Sequence, residues 1–256
     1  MRRRSVLWLA ATGVVLVAAV IAARGWLLRD RTEPVDVHRV VERYRATPAP
    51  TARRSGTVPV AGVYEYATTG GEQAALLGTS RHDYPPTTTV TIVSAGCGFT
   101  ASWQALDLRS ERWTLCRERH GVRPVRFEDV HAFYGRTDRR TYRCSGGALA
   151  LAPDARPATI TCARKGTTRT DRVRDAGATT LTVGGRTVAT VHLRVASAMR
   201  GATDGTATLD LWLARATGLP VRIRADVANE SDTPIGKRVA YRERYDLRLR
   251  SLTPRR

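Results

Sequence analysis

Residues 203–227 read TDGTATLDLWLARATGLPVRIRADV. Ala207, Leu209, Leu211 and Leu213 share one parity, and Thr208, Asp210, Trp212 and Ala214 share the other. A period of two marks a half-buried strand. Ala216-Thr217-Gly218 supplies a turn, after which Leu219, Val221, Ile223, Ala225 and Val227 alternate with Arg222, Arg224 and Asp226. The stretch therefore predicts a hairpin with one apolar and one charged face. A hairpin alone is marginal in water, so it needs further strands beside it and a cover over its apolar face.

Working outward, residues 238–250 repeat the pattern. Val239, Tyr241, Tyr245, Leu247 and Leu249 lie on one parity, with Glu243 as the exception. Arg238, Arg242, Arg244, Arg248 and Arg250 lie on the other, relieved by Asp246. Upstream, residues 179–183 and 186–198 flank Gly184-Gly185, a two-residue hairpin signal. Further strands are predicted at 62–68, 87–94, 99–106, 112–117, 122–134, 141–144, 158–164 and 168–175, while 72–79 fits either a helical turn or a strand. Gly70-Gly71 breaks or bulges the first strand. No helix of ordinary length is visible after Gly62. The fold class is mainly β: a large curved antiparallel meander, a half-barrel or open barrel, after an N-terminal transmembrane helix. The predicted domains are an anchor at 1–29, a juxtamembrane helix and Pro-rich linker at 30–61, and an extracytoplasmic β domain at 62–256.

The anchor is read from residues 5–23, SVLWLAATGVVLVAAVIAA, which carry no charge. With snorkelling ends, 5–28 can span a hydrocarbon core of about 30 Å. The rival is a cleaved signal peptide, but a signal core is typically about 7–15 residues. No cysteine follows to take a lipid. Arginines flank both ends, so charge leaves the orientation open. In the linker, Val37, Val40, Val41 and Tyr44 share one helical face behind Glu33-Pro34 and Asp36. That helix either docks in the domain's concavity or lies near the bilayer. Residues 47–56 read as a mobile tether.

Cys97, Cys116, Cys144 and Cys162 fall as two pairs that each bracket a hairpin, so Cys97–Cys116 and Cys144–Cys162 are the expected bridges, although four cysteines allow three pairings. Zinc spacing is absent, and free buried thiols are the other alternative. Bridges would put the domain outside the cytoplasm.

The 256 residues carry a formal charge of +19, almost all of it arginine. Such a charge attracts anionic partners such as acidic polymers or lipid headgroups, or reflects only a GC-rich genome. No aromatic-basic nucleic-acid module is present, and no nucleic-acid partner is expected. No HExxH or GxSxG motif occurs among the five histidines and the serines. Arg81-His82-Asp83-Tyr84 is the densest polar cluster, read as a salt-bridged strand entry or an acid-base site. Trp103, Trp113 and Trp212 read as core or interface anchors. Asn229-Glu230-Ser231 has the form of a glycosylation sequon.

Three runs, YPPTTTVTIVSAGCG (84–98), LDLWLARATGLPVRI (209–223) and RERYDLRLRSLTP (242–254), resemble uncharacterised actinobacterial single-span membrane proteins. The W-x-x-x-x-T-G-L-P hairpin at 212–220 is also similar to strands of LolA-like and LppX-like half-barrel lipoprotein carriers. That resemblance implies a curved sheet with helices over a concavity that holds acyl chains. The chain departs from it in having few helices, no lipid-attachment cysteine and two expected disulfides.

The function expected is a membrane-anchored extracytoplasmic domain binding an apolar ligand, a lipid or a hydrophobic segment. The candidate lining is Val191, Leu193, Leu209, Leu211, Leu213, Val221, Ile223, Val239 and Tyr241, and the same list also describes a plain packed core. The alternative is a structural or interaction module of the cell envelope that uses its basic face on anionic polymers. No enzyme activity, metal or cofactor is expected.

Overall fold

A computed structural model describes residues 32–47, 58–76, 78–153, 155–233 and 236–256. The candidate span at 5–28 and the Pro-rich tether at 48–57 lie outside the described residues. No helix among the described residues is long and apolar enough to cross a membrane.

Among the described residues, fourteen strands follow one short helix. The helix is α1 (Val37–Ala46). The strands are β1 (Gly62–Ala75), β2 (Thr79–Asp83), β3 (Thr87–Ala95), β4 (Gly98–Leu106), β5 (Arg109–Glu118), β6 (Gly121–Phe133), β7 (Arg136–Gly146), β8 (Leu149–Ala150), β9 (Ala158–Arg164), β10 (Thr167–Val183), β11 (Arg186–Gly201), β12 (Thr203–Ala214), β13 (Pro220–Asp232) and β14 (Arg238–Leu249). The hairpin predicted at 203–227 is β12–β13, in register from Thr203 opposite Ser231 to Leu213 opposite Pro220, with a bulge between Trp212 and Leu213.

The sheet is a closed 12-strand antiparallel barrel, which corrects the expected half-barrel or open barrel. Closure is made by β1 and β14, paired from Tyr66–Leu249 to Ala75–Ala240. Every strand edge of an open sheet offers unpaired N–H and C=O groups, and a twisted sheet of about ten strands or more tends to curl. Closure removes both edges. The two pairing strands lie at opposite ends of the domain's sequence, so no local pattern announces them.

β2 and β8 lie off the ring, β2 on β1 and β8 on β6. β1 pairs β3 through Ala67 and β2 from Gly71 onward. The change of partner needs the glycines between. A Cβ on Gly70, at φ +120°, would lie 2.0 Å from the Arg244 carbonyl oxygen, and one on Gly71 would lie 2.4 Å from that of His82. The segments expected at 168–175 and 179–183 are one strand, β10, with a bulge between Asp175 and Ala178.

α1 does not enter the concavity. Val40 and Val41 pack on Val63, which has the parity opposite to the inward residues Tyr64 and Tyr66, so the helix lies on the outer wall. Asp36 caps it by accepting from the His38 amide. Just before it, Pro34 bridges Leu106 and the Glu33 carbonyl accepts from the Asp107 amide. The first described residues therefore sit at the end of the barrel where β4 turns into β5. This is the Glu72 end below; the opposite rim, with the Ala216–Gly218 turn, is the Gly218 end.

Both expected disulfides are present: Cys97–Cys116 ties the β3–β4 turn to β5, and Cys144–Cys162 joins β7 to β9 directly across the pair. The core lines the barrel, with Tyr66, Ile92, Phe99, Leu193 and Leu247 almost wholly buried. The outer faces of β11–β14 carry ion pairs, among them Arg222–Asp246, Arg194–Asp210 and Arg244–Asp226.

A charge on the inner face has no partner there, whereas one on the outer face stays in water. Leu193→Asp is expected to cost about 4 kcal/mol or more, and Arg244→Asp about 1 kcal/mol or less. Urea unfolding of both variants checks this, and the reverse order would invert the faces.

Candidate functional site

The barrel interior has two parts. At the Glu72 end, parity carries charged side chains inward. Glu72 and Glu243 face each other across the β1–β14 seam. Between them lies Arg109, with no exposed surface. Its Nη2 donates to Glu243 Oε1 at 2.7 Å, Glu243 Oε2 at 2.8 Å and Glu111 Oε1 at 2.6 Å. Its guanidinium carbon lies 5.1 Å from the centre of the Trp103 ring. Glu72 Oε1 meets His82 Nδ1 at 2.9 Å, and Glu72 Oε2 meets His131 Nδ1 at 3.2 Å and accepts from the Tyr241 hydroxyl at 2.8 Å. His131 Nε2 lies 3.2 Å from Asp129 Oδ2, and the Tyr84 hydroxyl donates to Glu243.

The titration of this cluster follows from those contacts. Burial raises the Glu72 carboxyl, but hydrogen bonds from His131 and His82 and the charge of Arg109 outweigh it and hold it well below the ordinary carboxylate range. Burial and Arg109 work against a charged His131, yet bonds to Asp129 and Glu72 carry it up to about 9. Burial pushes the Glu243 carboxyl up; Arg109 pulls it back, and Glu111 and Glu72 add to the rise. The members mostly satisfy one another, so the cluster works as a polar plug. No group of metal-ligating side chains occurs among the described residues. The run Arg81-His82-Asp83-Tyr84 is thereby accounted for: Arg81 pairs with Asp83 on the exposed side, while His82 and Tyr84 turn into the plug.

Above the plug lies an apolar chamber of about 110 Å³. Leu209, Leu211, Leu213 and Ile223 line it, with Trp103, Trp113, Leu115 and Val195. Leu209, Leu211 and Ile223 point inward yet remain half-buried, because they border this space. Three polar side chains reach its wall: Glu111, Arg169 and Asp171. Arg169 Nε donates to Asp171 Oδ1 at 2.7 Å, and the Arg169 guanidinium lies 5.3 Å from the Trp113 ring centre and 5.1 Å from that of Phe127. Burial works against the Arg169 charge, and Asp171 more than restores it.

The other expected lining residues are elsewhere. Val191, Leu193 and Val221 are packed into the core without reaching the chamber lining. Tyr241 belongs to the plug, and Val239 lies beyond it on the same strand. Trp103 and Trp113 are the core anchors expected of them and also line the chamber, whereas Glu111, Arg169 and Asp171 are additions to the expected lining. Their signal was present in the alternation: Arg169 and Asp171 share parity with Val173, and Glu111 with Trp113 and Leu115. Trp212 is on the outer wall, its ring stacked on His192 with centres 4.3 Å apart. Asn229 is buried on the inner parity, which rules out a sugar there in the folded barrel.

No family model matches the chain, and neither a curated protein nor a solved structure matches it.

Removing Arg109 leaves Glu243 and Glu111 buried without their cation. Arg109→Met is expected to destabilise by about 3–5 kcal/mol in urea unfolding. The pH dependence follows from His131. Its folded value is raised above the unfolded one, so its contribution is complete below pH about 6.5 and is lost as pH rises through about 9. The loss is up to about 3 kcal/mol. Melting curves between pH 6 and 9.5 should show it for the native chain, and His131→Gln should flatten that slope.

Proposed function

We propose that this barrel is an extracytoplasmic binding protein, non-enzymatic and held at the membrane by the segment 5–28, that takes a small apolar ligand in the chamber. The observation that carries the reading is the inward row Leu209, Leu211 and Ile223, which borders open space where a packed barrel would place side chains. A cavity lined by such residues stays dry and accepts apolar guests; one of about 150 Å³ is large enough for benzene. At about 110 Å³ the chamber suits a compact apolar group or the tip of a chain. Pockets for drug-sized ligands are about 300–1,000 Å³, so a whole acyl chain of the kind implied by the carrier resemblance would need the walls to move. The two disulfides favour an oxidising compartment.

The envelope-module alternative depended on a basic face over the C-terminal strands. There, arginines and aspartates pair across β11–β14, which leaves a face of mixed sign. That observation favours the binding reading.

The test is a thermal shift on the full chain with benzene and with 1-hexanol. At one hundred times Kd a ligand adds about 2.7 kcal/mol, which for a domain of this size raises Tm by roughly 5–10 °C. Leu209→Trp should fill the chamber and remove the shift. An unchanged Tm up to the solubility limit of both probes would refute the reading.

A further inference from the structure

Outside the Gly218 end lies a second space, an open groove of about 550 Å³. Its lining includes Arg117, Arg119, His120 and Arg215, and no aspartate or glutamate. Several arginines of the barrel wall find acids: Arg222 has Asp246, Arg238 has Asp204, and Arg123 takes Glu118, the one acid between Arg117 and Arg119. No such ion pair is made by Arg117, Arg119 or Arg215 among the described residues. The Arg117 Nη1 atom is buried and has no hydrogen-bond partner. A buried guanidinium nitrogen without an acceptor costs free energy that an anion would recover.

The groove and the chamber are separated by one layer. Leu151 lines the groove, and Gly218 and Val122 line the chamber. A Cβ built on Gly218, at φ +79°, would lie 3.3 Å from Val122 Cγ1 and 3.4 Å from Leu151 Cδ1. Gly218 contributes only a hydrogen atom to the partition, and Leu151 and Val122 are the side chains packed beside it.

We propose that the groove binds the anionic head of a single-chain amphiphile whose apolar end occupies the chamber. This rests on the chamber reading above and adds the chemical class of the ligand: a carboxylate, sulfate or phosphate monoester on a short alkyl or aryl group. A planar guanidinium suits all three oxyanions, and His120 and the two exposed arginines supply further donors. The groove is at the end of the barrel away from Glu33 and Asp107, where the described chain begins.

Calorimetry on the full chain in phosphatidylcholine nanodiscs, with empty nanodiscs as the blank, compares hexanoate, hexyl phosphate and 1-hexanol. The expected result is that both anions bind at least tenfold more tightly than the alcohol, and that 1 M NaCl removes most of the preference. Arg117→Gln with Arg215→Gln should remove the preference while leaving hexanol binding unchanged. Arg119→Gln with Arg215→Gln, both exposed in the native chain, repeats the measurement without touching a buried group. Equal affinity for hexanol and the anions overturns this inference and leaves the chamber reading standing. No binding of any of the three overturns the chamber reading, and the inference with it.

Discussion

The register between β1 and β14 is the constraint on which the rest of this structure depends. It closes the sheet, and closure fixes how many side chains share one interior. About eight strands enclose a space that side chains just fill. Twelve enclose more. Alternation supplies only every second residue to the inside, so a wider ring cannot be filled by the aliphatic residues that suit a smaller one. The chain meets this in two ways. At the Glu72 end it uses long polar side chains that reach across the ring, as Arg109 does from β5 to Glu243 on β14. Toward the Gly218 end it leaves a chamber.

The plug and the chamber are consequences of one another. Inward charges are tolerated only as a set, since each buried carboxylate needs a cation or a donor. Glu72 alone engages His82, His131, Tyr241 and, at 3.4 Å, Arg109. This set also holds β2 over the opening, because His82 and Tyr84 flank the bond-rich centre and the glycines of β1 let β2 approach. With that end filled by hydrogen-bonded side chains, the proposed entry to the chamber is at the other rim, where Leu151 and Val122 pack beside Gly218.

Much of this was legible in the alternation of the strands, and the exceptions to it were the most informative part. Glu243 breaks the apolar parity of residues 239–249, and it sits at the centre of the plug. Arg169 and Asp171 break the parity of β10 in the same way and form the polar wall of the chamber. Alternation gives the face of a residue but not its height along the barrel axis. That is why Leu209 and Tyr241 stood together in the expected lining yet lie in different parts of the interior. Closure was illegible for a related reason: pairing of residues 66 and 249 is a property of strand count and twist, which no window of sequence carries. The helix at 37–46 was visible from its spacing, but Val63 decides that it lies outside the ring, and Val63 is distinguished from Tyr64 only by parity.

The charge of +19 has the same kind of explanation. Composition counts arginines, whereas the fold decides which of them meet an acid. On the outer face of β11–β14 several cross-strand neighbours are opposite in sign: Arg194 stands opposite Asp210, Asp210 opposite Arg224, and Arg224 opposite Asp246, while Arg222 stands opposite Arg248. Exposed pairs of this kind contribute little to stability individually, but they offset part of the positive charge on that wall. Positive charge without an acid beside it also stands at the rim carrying Arg117, Arg119 and Arg215. There Glu118, the nearest acid in sequence, points across the strand to Arg123 because adjacent residues of a strand face opposite sides. The same alternation that pairs part of the wall's charge thus leaves Arg117, Arg119 and Arg215 together at the Gly218 rim, beside the chamber's lining.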